Sequence, residues 1–171
     1  MDVRRRIFPI TRSIALGPFA SPERLPVLVE SGVTHVLNVG EAPGVLTTSD
    51  GPFLEIAWRP IMDWQQIPDA IALECVGTLH RMVCESQARV YVHCVAGWNR
   101  SPTVVWLYLL ACGMTSESAR RLICERAWDA IPGHPRLVDA ELVERIQELG
   151  RRLFVPHPRP EALEPASIPV S

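Results

Sequence analysis

Nine consecutive residues near the middle of the chain combine side chains that could together bind and attack a phosphate ester. Residues 93–101 read HCVAGWNRS, so that five residues separate Cys94 from Arg100 and Ser101 follows directly. A segment of this length can curl until its backbone N–H groups converge on one anion at the start of a helix. Gly97 would supply a turn that other residues resist. The spacing therefore predicts a cradle for a phosphate dianion.

Each polar side chain of this segment suits such chemistry. Arg100 offers a planar fork that matches two phosphate oxygens. Together with the loop amides it would stabilise the thiolate form of Cys94, which makes the sulfur a nucleophile near neutral pH. We expect the Ser101 hydroxyl to hydrogen-bond this sulfur, and His93 to orient the loop through its ring nitrogens. The residues predicted to line the substrate site are Val95, Ala96, Gly97, Trp98, Asn99 and Arg100.

The elements around this segment follow the order expected of an α/β protein. Residues 89–93 form a short β-branched run that predicts a strand, and the apolar residues 102–111 beyond the loop predict a helix. The alternation of strands and helices favours one domain with a mainly parallel sheet covered by helices on both faces. Ser21 is the expected N-cap of the first helix. Further strands are predicted at 34–38 and 53–58, and further helices at 21–31, 67–86, 115–127 and 136–152.

The composition narrows the possible functions. The 171 residues include no lysine, which excludes a Walker-type phosphate lysine and a Schiff-base lysine. The formal net charge of -2 gives no general attraction to nucleic acid or to an anionic membrane. Residues 1–10 contain arginines without an apolar stretch behind them, so we expect a cytoplasmic protein. A folded domain is predicted at 1–152, followed by a proline-rich, disordered tail at 153–171.

The cysteines outside this segment have no regular spacing. The odd total of five fits neither a zinc site nor a disulfide scaffold and favours a reducing compartment. His80 and Cys84 are one helical turn apart, but two ligands do not define a metal site, and we interpret them as core or surface residues. Any one of the other four cysteines could form a regulatory disulfide with Cys94, if its sulfur lies close enough. These cysteines are Cys75, Cys84, Cys112 and Cys124.

Residues 93–101 resemble the signature HCxxGxxRS of the cysteine-based protein tyrosine phosphatases, in particular their small, atypical dual-specificity group. The similarity extends over residues 5–150: residues 14–17 and 32–39 are similar to the opening strands of that group, and 101–110 to the helix after the loop. The resemblance implies the fold of these phosphatases. It also implies hydrolysis of phosphate monoesters through a phosphocysteine intermediate, with no metal and no cofactor.

The resemblance further implies a general-acid aspartate on a mobile loop upstream of the cysteine. Residues 60–63 read PIMD and match that segment, which makes Asp63 the predicted acid. One carboxyl group can protonate the leaving oxygen and later accept a proton from water. Asp69 is the rival candidate by position and residue type.

A phosphorylated protein or peptide is the substrate that this resemblance implies. The tyrosine-specific domains of the superfamily are much longer and carry an added loop that deepens the pocket. The present chain has no room for that loop, so we expect a shallower pocket open to phosphoserine, phosphothreonine and phosphotyrosine. The uncharged loop positions disfavour polyanionic substrates.

Several alternatives stay open at this point. The chain could hydrolyse a lipid, sugar or RNA phosphate, or it could be a phosphate-binding adaptor without turnover. A rhodanese-like sulfurtransferase also cradles an anion around a cysteine. Trp98 could stack against a substrate ring at the pocket rim or pack against a neighbouring loop.

Overall fold

The computed structural model describes residues 7–168, in which the strands are interspersed with helices up to residue 93 and three helices follow in succession. The basic residues 4–6 lie outside this range. The strands are β1 (Phe8–Pro9), β2 (Ile14–Gly17), β3 (His35–Asn38), β4 (Glu55–Trp58) and β5 (Val90–His93). The α-helices are α1 (Leu25–Glu30), α2 (Asp69–Val83), α3 (Arg100–Ala111), α4 (Ser116–Arg126) and α5 (Ala140–Leu153), with short 3-10 helices at Pro22–Arg24 and Pro160–Leu163.

The strands form one sheet in the order β1-β2-β5-β3-β4. β1 pairs antiparallel with β2, and the other neighbours are parallel. Side chains alternate across the sheet: Val36 and Tyr91 enter a small cluster with Leu28 of α1, whereas Leu37 and Val92 enter the main core. Helices α2 to α5 contribute to that main core. The predicted α/β fold with a mainly parallel sheet is confirmed.

Helix α3 lies at the centre of the main core. All twelve of its residues are buried, and it packs against α2, α4, α5 and the sheet. Such complete burial explains why the sequence between 102 and 111 is almost continuously apolar. The first residue of the helix is Arg100, so the loop from β5 ends at the helix N-terminus.

Several predicted helix ends differ from the observed ones, and two of the helix starts have a clear local reason. Ser21 makes no capping hydrogen bond, and the chain begins this turn as a 3-10 helix before α1. The last helix begins at Ala140 and not at 136, because Asp139 caps it by accepting a hydrogen bond from the Leu142 amide at 2.8 Å. Among residues 7–168, no helix is both long and apolar enough to cross a membrane.

Residues 153–168, for which the sequence predicts a disordered tail, make specific contacts with the domain in the structure. Ala162 is 1% exposed, and the Ala166 amide donates to the Ile10 carbonyl at 3.1 Å. Arg159 donates from its guanidinium to the carbonyls of Val83 and Glu85 at the end of α2. A few anchoring side chains hold this proline-rich segment against the domain, which its low apolar content does not reveal. Residues 169–171 lie outside the described range.

Candidate active site

The carboxyl ends of four strands meet at one edge of the sheet. The last residues of β2, β5, β3 and β4 lie side by side in register: Gly17 opposite His93, His93 opposite Asn38, and Asn38 opposite Trp58. Loops that leave this edge converge above it, which is where ligands bind in open α/β sheets. The predicted site lies at this edge.

The loop of residues 94–99, called the Cys94 loop below, connects β5 to α3. Within the described part of the chain, the backbone N–H groups of residues 95–99 donate no hydrogen bond to another protein group. Amides at the start of a helix that lack protein acceptors are available to an anion. The Cys94 loop therefore has the free donors that an anion cradle requires.

Gly97 enables this loop to lie close to the neighbouring strand. Its φ angle is +81°, a left-handed conformation that favours glycine. A Cβ atom at this position would lie 2.7 Å from the carbonyl carbon and oxygen of Gly17. Both the turn and the close approach of the two backbones require glycine here. Gly97 thus permits the backbone conformation of the loop, and it does not line the cavity described below.

Gly97→Ala is expected to lower the free energy of unfolding by about 1–3 kcal/mol, because the backbone must move to relieve the clash with Gly17. Urea unfolding of wild type and variant measures the change. Gly77→Ala is the matched control, since a Cβ at that helical glycine meets nothing within 4 Å. The control should be neutral or more stable by up to about 1 kcal/mol. Equal effects at the two positions would contradict the proposed close approach.

The sulfur of Cys94 lies buried at the base of the loop. The Ser101 hydroxyl donates to it at a distance of 3.4 Å. The carbonyl of Cys94 accepts a hydrogen bond from Nδ1 of His93 at 3.0 Å, which places the ring proton on that nitrogen. Burial lowers the pKa of His93 to about 4, so its ring is neutral. Both side chains contact the groups that the sequence predicted for them.

Arg100 is 4% exposed, and its guanidinium faces the cavity. Its Nη1 donates to the Ile61 carbonyl at 3.1 Å. Two carboxylates flank the same group, with Glu41 Oε1 at 3.5 Å from Nη1 and Asp63 Oδ2 at 3.5 Å from Nη2. Its Nε is buried and makes no hydrogen bond within the described residues. The guanidinium is fixed in place, and one of its N–H groups has no partner among the described residues.

Asp63 lies on the loop after β4 and is brought to the Cys94 loop by three contacts. Asn99 donates from Nδ2 to Asp63 Oδ1 at 3.2 Å, and the guanidinium of Arg100 lies beside the other carboxylate oxygen. The amide of Asp63 donates to Glu41 Oε1 at 2.9 Å. The carboxyl group remains about one-third exposed. It can therefore reach a group that enters the cavity.

The rival aspartate is placed elsewhere. Asp69 begins α2 and pairs with Arg145 of α5. It does not line the cavity that contains Cys94. Of the two candidates, Asp63 is the one that lines the cavity together with Cys94 and Arg100.

A cavity of about 540 Å³ opens above the Cys94 loop. Its rim is largely apolar, because Trp64, Trp98, Val95 and Ile131 present exposed side chains around it. Trp98 is 54% exposed, and its carbonyl accepts a hydrogen bond from the Ile131 amide at 2.7 Å. The loop at 131 thus supports the backbone of Trp98 while the indole stays at the rim. The residues that line the cavity are Glu41, Ala42, Asp63, Trp64, Cys94, Val95, Ala96, Trp98, Asn99, Arg100 and Ile131.

Sequence reasoning missed two residues that shape this site. Glu41 contacts both the Arg100 guanidinium and the Asp63 amide. Asn38 positions the turn that carries Glu41, since it accepts from the Gly40 amide at 2.8 Å and donates to the Ala42 carbonyl at 2.9 Å. A polar residue at the end of the buried strand β3 was the available signal, because such residues lie at the edge where the loops converge.

All five cysteines lie within the described range and are free. Cys112 follows α3 and lies twelve residues beyond Arg100, which corresponds to about 18 Å along the helix axis. This separation is too great for a disulfide with Cys94. Regulatory pairing with one of the other three cysteines stays a prediction.

The model of the dual specificity phosphatase catalytic domain family matches residues 15–135, well over half of the chain. The chain belongs to this family, which confirms the resemblance seen in its sequence. Among relatives, it is 31% identical over 97 residues to human dual specificity protein phosphatase 15, covering 56% of this chain and 31% of that protein. It is 30% identical over 105 residues to human protein tyrosine phosphatase type IVA 3, covering 61% of each chain.

Solved structures show the same fold. The crystal structure of PTPMT1 in complex with PI(5)P superposes with a TM-score of 0.64 at 19% identity, covering 85% of this chain and 95% of that one. At this identity the likeness concerns the fold alone. The matched region spans less than two thirds of the length of either human relative named above.

Proposed function

We propose that this protein is a cysteine-dependent phosphatase that hydrolyses phosphate monoesters through a phosphocysteine intermediate on Cys94. The observation that carries the proposal is the convergence of three features on one sulfur. The Ser101 hydroxyl contacts it, the loop amides beside it have no acceptor among residues 7–168, and the buried Arg100 faces the same cavity. This arrangement would bind a phosphate dianion directly above a nucleophile.

In the first half-reaction the thiolate of Cys94 attacks phosphorus, and the bond between phosphorus and the leaving oxygen breaks. The carboxyl group of Asp63 donates its proton to that oxygen, so the product leaves as an alcohol or phenol. The loop amides and Arg100 hold the three remaining phosphate oxygens, on which negative charge is spread in the transition state.

In the second half-reaction a water molecule attacks the phosphocysteine. Asp63, now a carboxylate, accepts a proton from this water, and the sulfur of Cys94 leaves as a thiolate. Inorganic phosphate is released and both side chains return to their starting protonation states. The hydrogen bond from Ser101 would stabilise the sulfur as it leaves.

Two contacts around Asp63 support its assignment as the acid. Asn99 donates to one carboxylate oxygen, and Glu41 holds the backbone amide of the same residue. These contacts keep the carboxyl group at the edge of the cavity without burying it. Asn99 therefore joins the phosphate cradle to the acid-bearing loop.

We infer that the substrates are phosphorylated proteins or peptides, with phosphotyrosine and phosphoserine or phosphothreonine both accepted. Among the described residues that line the cavity, Arg100 is the one cation, and Glu41 adds a negative charge. A ligand with several phosphate groups would meet repulsion there. The exposed indoles of Trp64 and Trp98 offer flat apolar surfaces for a phenyl ring or for apolar side chains next to the phosphorylated residue.

A lipid phosphate is the second candidate. PTPMT1, whose fold this chain shares, was crystallised with PI(5)P, and an apolar rim would also suit a lipid chain. This candidate favours a lipid with a single phosphomonoester group, because the described residues of the cavity wall provide one guanidinium.

A substrate panel distinguishes the two candidates. Phosphate release is measured from matched phosphotyrosine, phosphoserine and phosphothreonine peptides, and from a phosphatidylinositol monophosphate in mixed micelles. We expect turnover of the peptides, with kcat/KM about tenfold or more above that for the lipid. Failure of all three peptides together with turnover of the lipid would overturn the protein-substrate proposal. Sulfur transfer from thiosulfate, assayed alongside, should be absent.

A further inference from the structure

Two histidines and a cysteine converge at the side of the domain where the C-terminal segment packs. His80 and Cys84 come from the last turn of α2 and the residue after it, whereas His157 comes from the segment that follows α5. One donor atom from each of the three side chains lies within 4.8 Å of the other two. The chain thus brings together soft ligands that are 73 residues apart in sequence, counted from Cys84 to His157.

We propose that His80, Cys84 and His157 form a binding site for a thiophilic transition-metal ion such as Zn²⁺. Two imidazole nitrogens and one thiolate are ligands that zinc commonly takes in proteins. With the usual bond lengths, sulfur and nitrogen ligands of tetrahedral zinc lie about 3.5 Å apart. Sγ of Cys84 lies 3.6 Å from Nε2 of His80, which is close to this spacing.

The surroundings of His80 hold its ring ready for this role. The ring stacks on Phe154 with centroids 3.9 Å apart, and Nδ1 lies 3.2 Å from the Tyr108 hydroxyl. When Nε2 binds a metal, Nδ1 carries the proton and donates to that hydroxyl, a second contact that orients metal-binding histidines.

His157 would change partners on binding. Its Nδ1 accepts from the Arg159 amide at 3.0 Å, and its Nε2 lies 2.8 Å from the Tyr108 hydroxyl. Coordination through Nε2 moves the ring proton to Nδ1 and replaces these two hydrogen bonds by one metal bond. The thiol proton of Cys84 passes to solvent in the same step.

Further donors border the three ligands. Tyr108 contacts both histidines through its hydroxyl, and Cys112, at the end of α3, interacts with this tyrosine. His80, Cys84 and His157 are all partly exposed, so an ion can reach them from solvent. Tyr108, which borders the site, lies eight residues, or about 12 Å, along α3 from Arg100. The site is therefore separate from the cavity above Cys94.

The metal would fasten the C-terminal segment to α2. Arg159 already bonds the carbonyls at the end of this helix, and His157 lies two residues before it. A bond from the metal to His157 adds a second attachment at the same place. Metal binding should therefore protect residues 154–168 from proteolysis without entering the proposed reaction.

Titration with Co²⁺ tests the site, because a thiolate bound to cobalt gives a charge-transfer absorption in the near ultraviolet. The full chain is used with Cys94→Ser, so that the sulfur of the active site cannot contribute. We expect one equivalent of Co²⁺ to bind with this absorption, and Zn²⁺ to displace it. A folded protein that binds no stoichiometric Co²⁺ would overturn the proposal.

Three variants in the Cys94→Ser background locate the ligands. Cys84→Ser should abolish the absorption, and His157→Gln should weaken binding by about tenfold or more. Cys124→Ser is the matched control, because that thiol lies on α4 and donates to the Ala130 carbonyl, and it should bind as the parent does. An absorption that survives Cys84→Ser would place the ion elsewhere and refute the site. Circular dichroism confirms that each variant is folded.

Proteolysis gives a second measurement of metal binding, which does not depend on the cobalt absorption. Zn²⁺ should slow cleavage within residues 154–168 in the Cys94→Ser protein and have no such effect after Cys84→Ser or His157→Gln. Equal protection in all of these proteins would contradict the proposed link between the metal and this segment.

Discussion

Replacing Cys94 with serine is expected to lower kcat for phosphopeptide hydrolysis by about 10⁴-fold or more. A serine hydroxyl is a far poorer nucleophile than a thiolate at neutral pH. The loop amides and Arg100 are unchanged in this variant, so affinity for the same phosphopeptide should stay within a few-fold of wild type. Single-turnover assays and calorimetric titration measure the two quantities.

The control for this variant is Cys124→Ser, which removes a thiol on α4 and should keep wild-type turnover. Undiminished hydrolysis by Cys94→Ser would refute the nucleophile assignment. If wild type itself binds phosphopeptides but releases no phosphate, the protein is a phosphate-binding adaptor. A covalent phosphoenzyme trapped by acid quench from wild type, and absent from Cys94→Ser, would support the intermediate.

Replacing Asp63 with asparagine should slow hydrolysis of alkyl phosphates by about 10²-fold or more, the usual contribution of a general acid. An activated aryl phosphate needs little protonation of its leaving group, so its rate of phosphoryl transfer to Cys94 should fall by less than about tenfold. Asparagine has nearly the same shape and can still accept the hydrogen bond from Asn99. The difference between the two substrates therefore reports proton donation and not a change of loop structure. Pre-steady-state burst rates on p-nitrophenyl phosphate and a phosphoserine peptide measure it.

Asp69→Asn is the matched control, because Asp69 was the rival candidate and pairs with Arg145 away from the cavity. This variant should hydrolyse both substrates at the wild-type rate. Equal losses on the two substrates in Asp63→Asn, or a substrate-dependent loss in Asp69→Asn, would move the acid away from Asp63.

The centre of the candidate site was predictable because its chemistry is local. Cys94, Gly97, Arg100 and Ser101 lie within eight residues, so their spacing alone restricts how the backbone can fold around an anion. The fold class followed from the order of strands and helices. Both inferences depend on contacts between residues close in sequence, which periodicity and turn chemistry describe well.

Other parts of the site could not be predicted, since they depend on strands that are distant in sequence. Glu41 reaches Arg100 because β3 and β5 are neighbours in the sheet. The polar residue that ends β3 indicates the edge of the sheet, but it does not indicate which strand lies beside β3. His157 was assigned to a disordered tail, so it could not be considered beside His80. A few anchoring contacts hold this segment against the domain. A prediction from the overall composition of the segment does not detect them.

The contacts that surround Arg100 determine when the conformational entropy of its side chain is lost. Holding a flexible arginine in one rotamer costs up to about 2 kcal/mol. The Ile61 carbonyl and the carboxylates of Glu41 and Asp63 already hold the guanidinium in the folded chain. This entropy is therefore lost when the chain folds, so phosphate binding costs little further side-chain entropy at Arg100.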